Sequence, residues 1–222
     1  MTLAYIDFLN TVHTQTPRNY VQRVVEHDKA ACAEIARRFD YDYWDGDRRY
    51  GYGGYRYDGR WVAVAERLAV HYALKPGARI LDIGCGKGFL LHDFKTVVPG
   101  ASVAGMDISR YALRNAMDDV RPRVVEGTAA QLPFTDRSFD LVVSINTLHN
   151  LRAAELDAAL REIERVGRGA KYIVMDSLRT EQQKANLLYW QLTCQCFYTP
   201  EDWQWWFDRT GYSGDHSFVY FD

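Results

Sequence analysis

The chain has 222 residues, 47% of them hydrophobic and 25% charged, which suits one full core with a small appendage. Its formal charge of −2 and pI near 6.3 offer no broad basic field for a nucleic-acid backbone, so no nucleic-acid partner is expected. No apolar run approaches the roughly 20 residues of a membrane span, so no membrane partner is expected either.

The first stretch, "MTLAYIDFLNTV", lacks a basic n-region and is interrupted by Asp7, so it does not read as a signal peptide and the chain reads as cytoplasmic. Residues 1–18, with His13, show no pattern; folding over the site or packing on a second subunit, as in a homodimer, is open to them. Residues 19–39 read as one helix, because Val21, Val24, Val25, Ala31, Ile35 and Phe39 recur at roughly helical spacing. "DYDYWDGDRRYGYGGYRYDGRW", Asp40 to Trp61, holds five glycines and six tyrosines and keeps no period, so it reads as a structured loop. A helix follows over 61–72 and stops at Pro76-Gly77.

From residue 79 strands and helices alternate. "RILDI" (79–83), "SVAGMD" (102–107), "RVVEG" (123–127), "FDLVVSIN" (139–146) and "KYIVMDS" (171–177) read as apolar strands. The helices between them are expected over 87–97, from a cap at Ser109 through Asp118, over a short turn at 129–132, and over 152–166. This alternation predicts an α/β, doubly wound, mostly parallel Rossmann-like sheet with its ligand beyond the carboxyl ends of the strands. In the tail, 181–190 reads as a helix and "LTCQCFY" (192–198) as extended. Thr199, Pro200 and Asp202 open a helix that Gly211 closes, and "HSFVYF" (216–221) reads as a last strand. Trp203, Trp206 and Phe207 form a core stripe from which Trp205 departs. The four cysteines, Cys32, Cys85, Cys194 and Cys196, make no CxxC pair and no zinc spacing, so free thiols and no metal site are expected.

The loop after the first strand, "ILDIGCGKGF", carries the chemistry. Gly84 and Gly86 allow positive φ and a close approach of backbone to a ligand at a helix N-terminus. A dinucleotide turn needs a third small residue where Phe89 stands, and a Walker loop needs different residues around Lys87, so a nucleoside without a pyrophosphate is indicated. Asp82 ends the first strand and can hold an ammonium group or water. Asp107 ends the second and can take both ribose hydroxyls, with Ile108 beside an adenine face.

The segments "ILDIGCGKGFL", "VAGMDIS", "VEGTAAQLPFTDRSFDLVVSINTLHNL" and "YTPEDWQWWFDRTGY", within residues 75–212, resemble the successive motifs of class I S-adenosylmethionine-dependent methyltransferases, nearest the ubiquinone-methyltransferase-like branch. The resemblance implies S-adenosylmethionine as cofactor and a seven-stranded sheet with its last strand antiparallel. It implies that Gly84, Gly86 and Lys87 line the methionine moiety, mostly through backbone, that Asp107 holds the ribose, that Thr128 and Ala129 face the adenine, and that Ser144 touches the methionine part. Thr128 stands where Asp or Asn is usual, and only 216–221 follows the last helix; 192–198 is expected to compensate. Residues 1–74 would form an N-terminal helical lid and 75–222 the core.

In that architecture the residues after the fourth strand, Asn146, Thr147, His149 and Asn150, flank the methyl group. His149 is either a general base, as an imidazole titrating near neutrality, or a histidine hydrogen-bonded at a helix start. In the lid, Arg48, Arg49, Arg56 and Arg60 alternate with Tyr50, Tyr52, Tyr55 and Tyr57. They suit an anionic small-molecule substrate or the cofactor's carboxylate, or else the loop packs its tyrosines on the core. Tyr55 is the lid's catalytic candidate. Lids of this kind resemble a bacterial subgroup of surface-polysaccharide and small-metabolite pathways, which implies a sugar or amino-acid-like acceptor. A non-catalytic S-adenosylmethionine-binding regulator and a nicotinamide oxidoreductase are the rival readings.

Overall fold

The computed structural model describes residues 3–10, 12 and 18–222; His13 lies outside them. The N-terminal part holds α1 (Tyr20–Glu26), α2 (Lys29–Ala36), α3 (Tyr41–Trp44) and α4 (Val62–His71). The single helix expected over 19–39 is two. Asp28 turns its carboxylate onto the Ala31 N–H at 3.0 Å and caps α2, while His27 is extended at φ −136°. A short acidic side chain competes for backbone donors and starts a helix more readily than it continues one.

The core follows as β1 (Arg79–Ile83), α5 (Phe89–Val97), β2 (Ser102–Asp107), α6 (Arg110–Arg114) and β3 (Val124–Glu126). Then come β4 (Phe139–Ile145), α7 (Ala153–Val166), β5 (Gly167–Asp176), α8 (Glu181–Trp190), α9 (Pro200–Thr210) and β6 (Asp215–Val219). The Ser109 hydroxyl caps α6 as expected, accepting from Ala112 N at 3.0 Å, but the helix ends at Arg114. Residues 128–131 form a bridged turn instead of a helical one.

The sheet order is β3-β2-β1-β4-β5-β6 with every pair parallel. Alternate strand residues feed two cores. Leu81, Ile83, Val142, Ile173 and Met175 pack under α7 and α9, while Ile80, Leu141, Val143, Tyr172 and Val174 pack under α4 and α5. Burial on both faces is why these strands read as continuous apolar runs.

The expected seven-stranded sheet with an antiparallel last strand is not what forms: six strands are found among the described residues, and β6 lies parallel to β5. The α8–α9 crossover is long enough to return the chain to the same end of the sheet, so the strand enters parallel. The free edge of β6 is met by the N-terminal segment, where Ile6 N–H donates to His216 O at 2.9 Å and His216 N–H to Ala4 O at 3.0 Å. Residues 192–198 add no strand; the N–H groups of Gln195 and Cys196 donate to His149 O at 2.8 and 3.0 Å. All four cysteines are free and buried. The stripe of α9 is buried and Trp205 is 56% exposed. No helix among the described residues is long and apolar enough to cross a membrane.

Candidate functional site

β1 has β2 on one side and β4 on the other, so the chain leaves the sheet in opposite directions at the carboxyl ends of these strands. A cleft of about 230 Å³ opens there, walled by the loop after β1, the ends of β2 and β4, and the segment 39–61.

The glycine turn is built for contact. Gly84 has φ +79°, and a Cβ there would overlap the Thr147 hydroxyl; Gly86 has φ +53°, and a Cβ would meet the Trp44 ring at 2.9 Å. Its donors, however, face inward. The N–H groups of Gly84 and Cys85 go to Met106 O at 2.7 and 3.1 Å, and that of Gly86 to Asp107 Oδ2 at 2.7 Å. These are N–H groups that a pyrophosphate would need, so the turn offers a close carbon surface instead of a phosphate cradle. Phe89 opens α5 and stacks on Tyr55, with centroids 4.9 Å apart at 21°. The bulky residue at that position supports the segment 39–61.

Both expected carboxyls line the cleft and are buried. Asp107 is fixed by Gly86 N and, at 2.8 Å, Ser109 N. Burial raises its pKa, and these backbone donors work against the rise. No donor among the described residues reaches the Asp82 carboxyl; burial, then the charge of Asp107, push it up to about 8. Ile108, Thr128 and Ala129 line the same cleft. Thr128 Oγ1 accepts from Ala130 N at 3.3 Å.

At the end of β4, Asn146 stands in the left-handed region at φ +55°, and its buried Oδ1 has no partner; the Asn150 Oδ1 is in the same condition. Both residues line the cleft. Asparagine tolerates that conformation, and two buried acceptors without a donor beside one cleft are unusual.

Three expected residues do other work. Ser144 is buried in the sheet, its hydroxyl donating to Ile83 O at 3.0 Å, and does not reach the cleft. Lys87 turns away from it: Nζ donates to both Asp45 oxygens, at 2.7 and 2.6 Å, and to Tyr55 O at 2.8 Å. His149 is buried beside the cleft. Its Nδ1 accepts the Asp176 N–H at 3.0 Å, which leaves the proton on Nε2, 3.5 Å from Asp176 Oδ2. Burial lowers its pKa, only partly opposed by Asp176. The Nδ1 lone pair is taken by the Asp176 N–H and Nε2 carries the proton, so neither ring nitrogen is free to receive one; the hydrogen-bonded reading of His149 fits and the general-base reading does not.

The segment 39–61 covers the cleft with Trp44, Tyr43, Tyr52, Tyr55 and Trp61. Burial, first of all, holds the phenols of Tyr43, Tyr52 and Tyr55 above their ordinary range, so Tyr55 is a wall and a poor base. Tyr50 packs on Cys32 and Leu192, Tyr57 donates to Asp93 at 2.6 Å, Arg60 pairs with Asp58, and Arg56 is exposed; none of these four lines the cleft.

Asp45, which sequence reasoning missed, holds the loop down. It accepts Lys87, the Tyr111 hydroxyl at 2.7 Å and Tyr55 N at 3.0 Å. Desolvation pushes its pKa up, but these donors outweigh it and hold the carboxyl below its usual range. The available signal was the capped turn Asp40-Tyr-Asp-Tyr-Trp, which delivers Trp44 and Asp45 at its end.

Residues 81–175 match the family model described as a methyltransferase domain. An uncharacterized methyltransferase of Synechocystis sp. is 32% identical over 137 residues, covering 60% of this chain and 62% of that protein. The demethylmenaquinone methyltransferase of Roseiflexus sp. is 32% identical over 137 residues, covering 60% of this chain and 56% of its own. Each match spans less than two thirds of the relative. Among solved structures, a chain of the Haloferax volcanii complex between the Trm112 methyltransferase activator and a methyltransferase shares the fold, with TM-score 0.57, 20% identity, and coverage of 83% of this chain and 76% of that one. The matches make residues 81–175 similar to methyltransferase domains, and the group that such a likeness implies is S-adenosylmethionine. The cleft fits that group: glycines where side chains would fill the cradle, a carboxyl without a donor, and two orphaned amide oxygens.

Proposed function

We propose that this protein binds S-adenosylmethionine in the cleft and transfers its methyl group to a small metabolite, anionic or polyhydroxylated, of a sugar or amino-acid-like kind. The observation that carries the reading is the pair of buried carboxyls, Asp82 and Asp107, at the ends of neighbouring strands, flanking a turn whose donors face inward. The likeness of the tyrosine- and glycine-rich segment 40–61 to a bacterial small-molecule subgroup supports the acceptor class.

S-adenosylmethionine, when bound, supplies a methyl group on a positively charged sulfur. Asp107, already oriented by Gly86 and Ser109, takes the ribose hydroxyls, and Asp82 takes the ammonium group. Ile108, Thr128 and Ala129 hold the base. The rings of Trp44, Tyr52 and Tyr55 exclude water and favour a cation by facing it. Asn146 and Asn150 offer their amide oxygens for orienting the reactants. With His149 and Tyr55 both unsuited to take a proton, the chain contributes approximation and orientation, and the acceptor brings its own available lone pair. Residues 39–61 act as the lid.

Calorimetric titration with S-adenosylhomocysteine and with NAD tests the reading. S-adenosylhomocysteine binds and NAD does not, and Asp107→Ala weakens the affinity at least about tenfold. Asn146→Ala keeps that affinity while transfer of labelled methyl into a small-metabolite extract drops. Binding of NAD alone would sink the proposal; cofactor binding without transfer to any acceptor points to a regulator.

A further inference from the structure

A second cavity, of about 180 Å³, adjoins the cleft and shares the walls Tyr43, Tyr52 and Asn146 with it. Around it gather Arg18, Arg23 and Arg48, with Trp190 in their midst: the three guanidiniums lie 5.8, 4.7 and 5.6 Å from the centroid of that ring. No carboxylate among the described residues pairs with any of the three. Asp47, the nearest acid in sequence to Arg48, is taken by Arg49 at 3.1 Å, and Arg48 itself donates to the Gly51 carbonyl. The Nε atoms of Arg18 and Arg23 are buried without a partner.

The one acid among the described residues that line the cavity, Asp176, is already engaged. It accepts from Gln191 Nε2 at 2.6 Å, and His149 Nε2 faces it at 3.5 Å. Burial, then the neighbouring guanidinium of Arg48, pushes Arg23 below its ordinary pKa; burial does the same to Arg48, with Arg18 adding to it. Stacking on an aromatic face offsets only part of the cost of gathering three like charges. Forked donors of this kind match carboxylate or phosphate oxygens.

We propose that this second cavity is the acceptor site, and that Arg18, Arg23 and Arg48 around Trp190 hold a carboxylate or phosphate group of the methyl acceptor. The assignment as acceptor site rests on the methyltransferase reading, because it depends on the wall at Asn146 separating acceptor from cofactor. The anion would anchor at the arginines and the remainder of the molecule would extend to Asn146, while the neutral His149 offers its Nε2–H. The small volume confines the ligand to metabolite size.

The test is calorimetry on the full chain with S-adenosylhomocysteine present, using benzoate, phenyl phosphate and the neutral benzamide as probes. Benzoate or phenyl phosphate binds and benzamide does not; which acid binds more tightly identifies the group. Arg23→Gln and Arg48→Gln each weaken acid binding about tenfold, Arg23→Lys retains most of it, and affinity for S-adenosylhomocysteine stays within about twofold. Circular dichroism confirms that the variants are folded, and Trp190→Phe provides a milder change at the same place. Equal acid binding by wild type and both glutamine variants, or none by the wild type, overturns the proposal. So does a matching loss of S-adenosylhomocysteine affinity, since the arginines would then serve the cofactor's carboxylate. Acid binding by a wild-type chain that does not bind S-adenosylhomocysteine keeps the anion site and removes its acceptor role.

Discussion

At the scale of single residues, the buried acid of β1 governs both binding and stability. With its pKa raised to about 8, the Asp82 carboxyl is largely protonated at neutral pH in the free protein, and it must ionise to pair with an ammonium group. Affinity for S-adenosylhomocysteine therefore tightens as pH rises toward about 8, and Asp82→Asn weakens binding and flattens the slope; calorimetry across pH reads both. The sign for stability is opposite. The native state binds this proton more tightly than the unfolded chain, so the carboxyl costs stability as pH climbs from about 4 to about 8. Asp82→Asn therefore gains in Tm over the wild type as pH rises through that window, a trade of stability for function. Asp82, Asp107 and the glycines were legible because local rules place them: a carboxyl at a strand end and a turn requiring positive φ. Lys87 and His149 were not, because their partners Asp45 and Asp176 lie 42 and 27 positions away and no local pattern announces them.

At the scale of elements, strands buried on both faces declared themselves as apolar runs, and β1 and β2 fall where the sequence puts them. The direction of β6 did not, because the same alternation suits a parallel or an antiparallel neighbour; crossover length decides it. The loop 40–61 was legible as structured but not as clasped. Lys87 carries 8% and Asp45 22% of their side-chain exposure, so the pair is well shielded. Lys87→Met leaves Asp45 with only the Tyr111 and Tyr55 donors, at a cost of about 2 kcal/mol. The expected result is a lower denaturation midpoint and faster proteolysis within 46–60. Gly84→Ala strains the backbone and collides with Thr147, so it lowers both Tm and cofactor affinity, and Thr147→Ser restores neither because the hydroxyl remains.

For the whole molecule, the sheet's exposed margin is managed by the chain's own beginning. Tyr5 bridges His216, Phe8 meets Tyr172 edge-on at 4.9 Å, and Leu9 is buried, so residues 4–9 shield β6 and complete one core. Deleting residues 1–10 should lower Tm by several degrees and produce concentration-dependent self-association in light scattering, as an unpaired strand edge does. This shielding was illegible because six ordinary residues with no period carry it.

The Lys87–Asp45 clasp also has a kinetic side. Trp44 and Tyr55, which wall the cleft, are tethered directly next to and onto Asp45, so one lysine–aspartate pair holds both rings in place. Under the proposed function, residence time more than affinity is what this pair would control, so Lys87→Met is expected to quicken S-adenosylhomocysteine dissociation in stopped flow more than it weakens equilibrium binding.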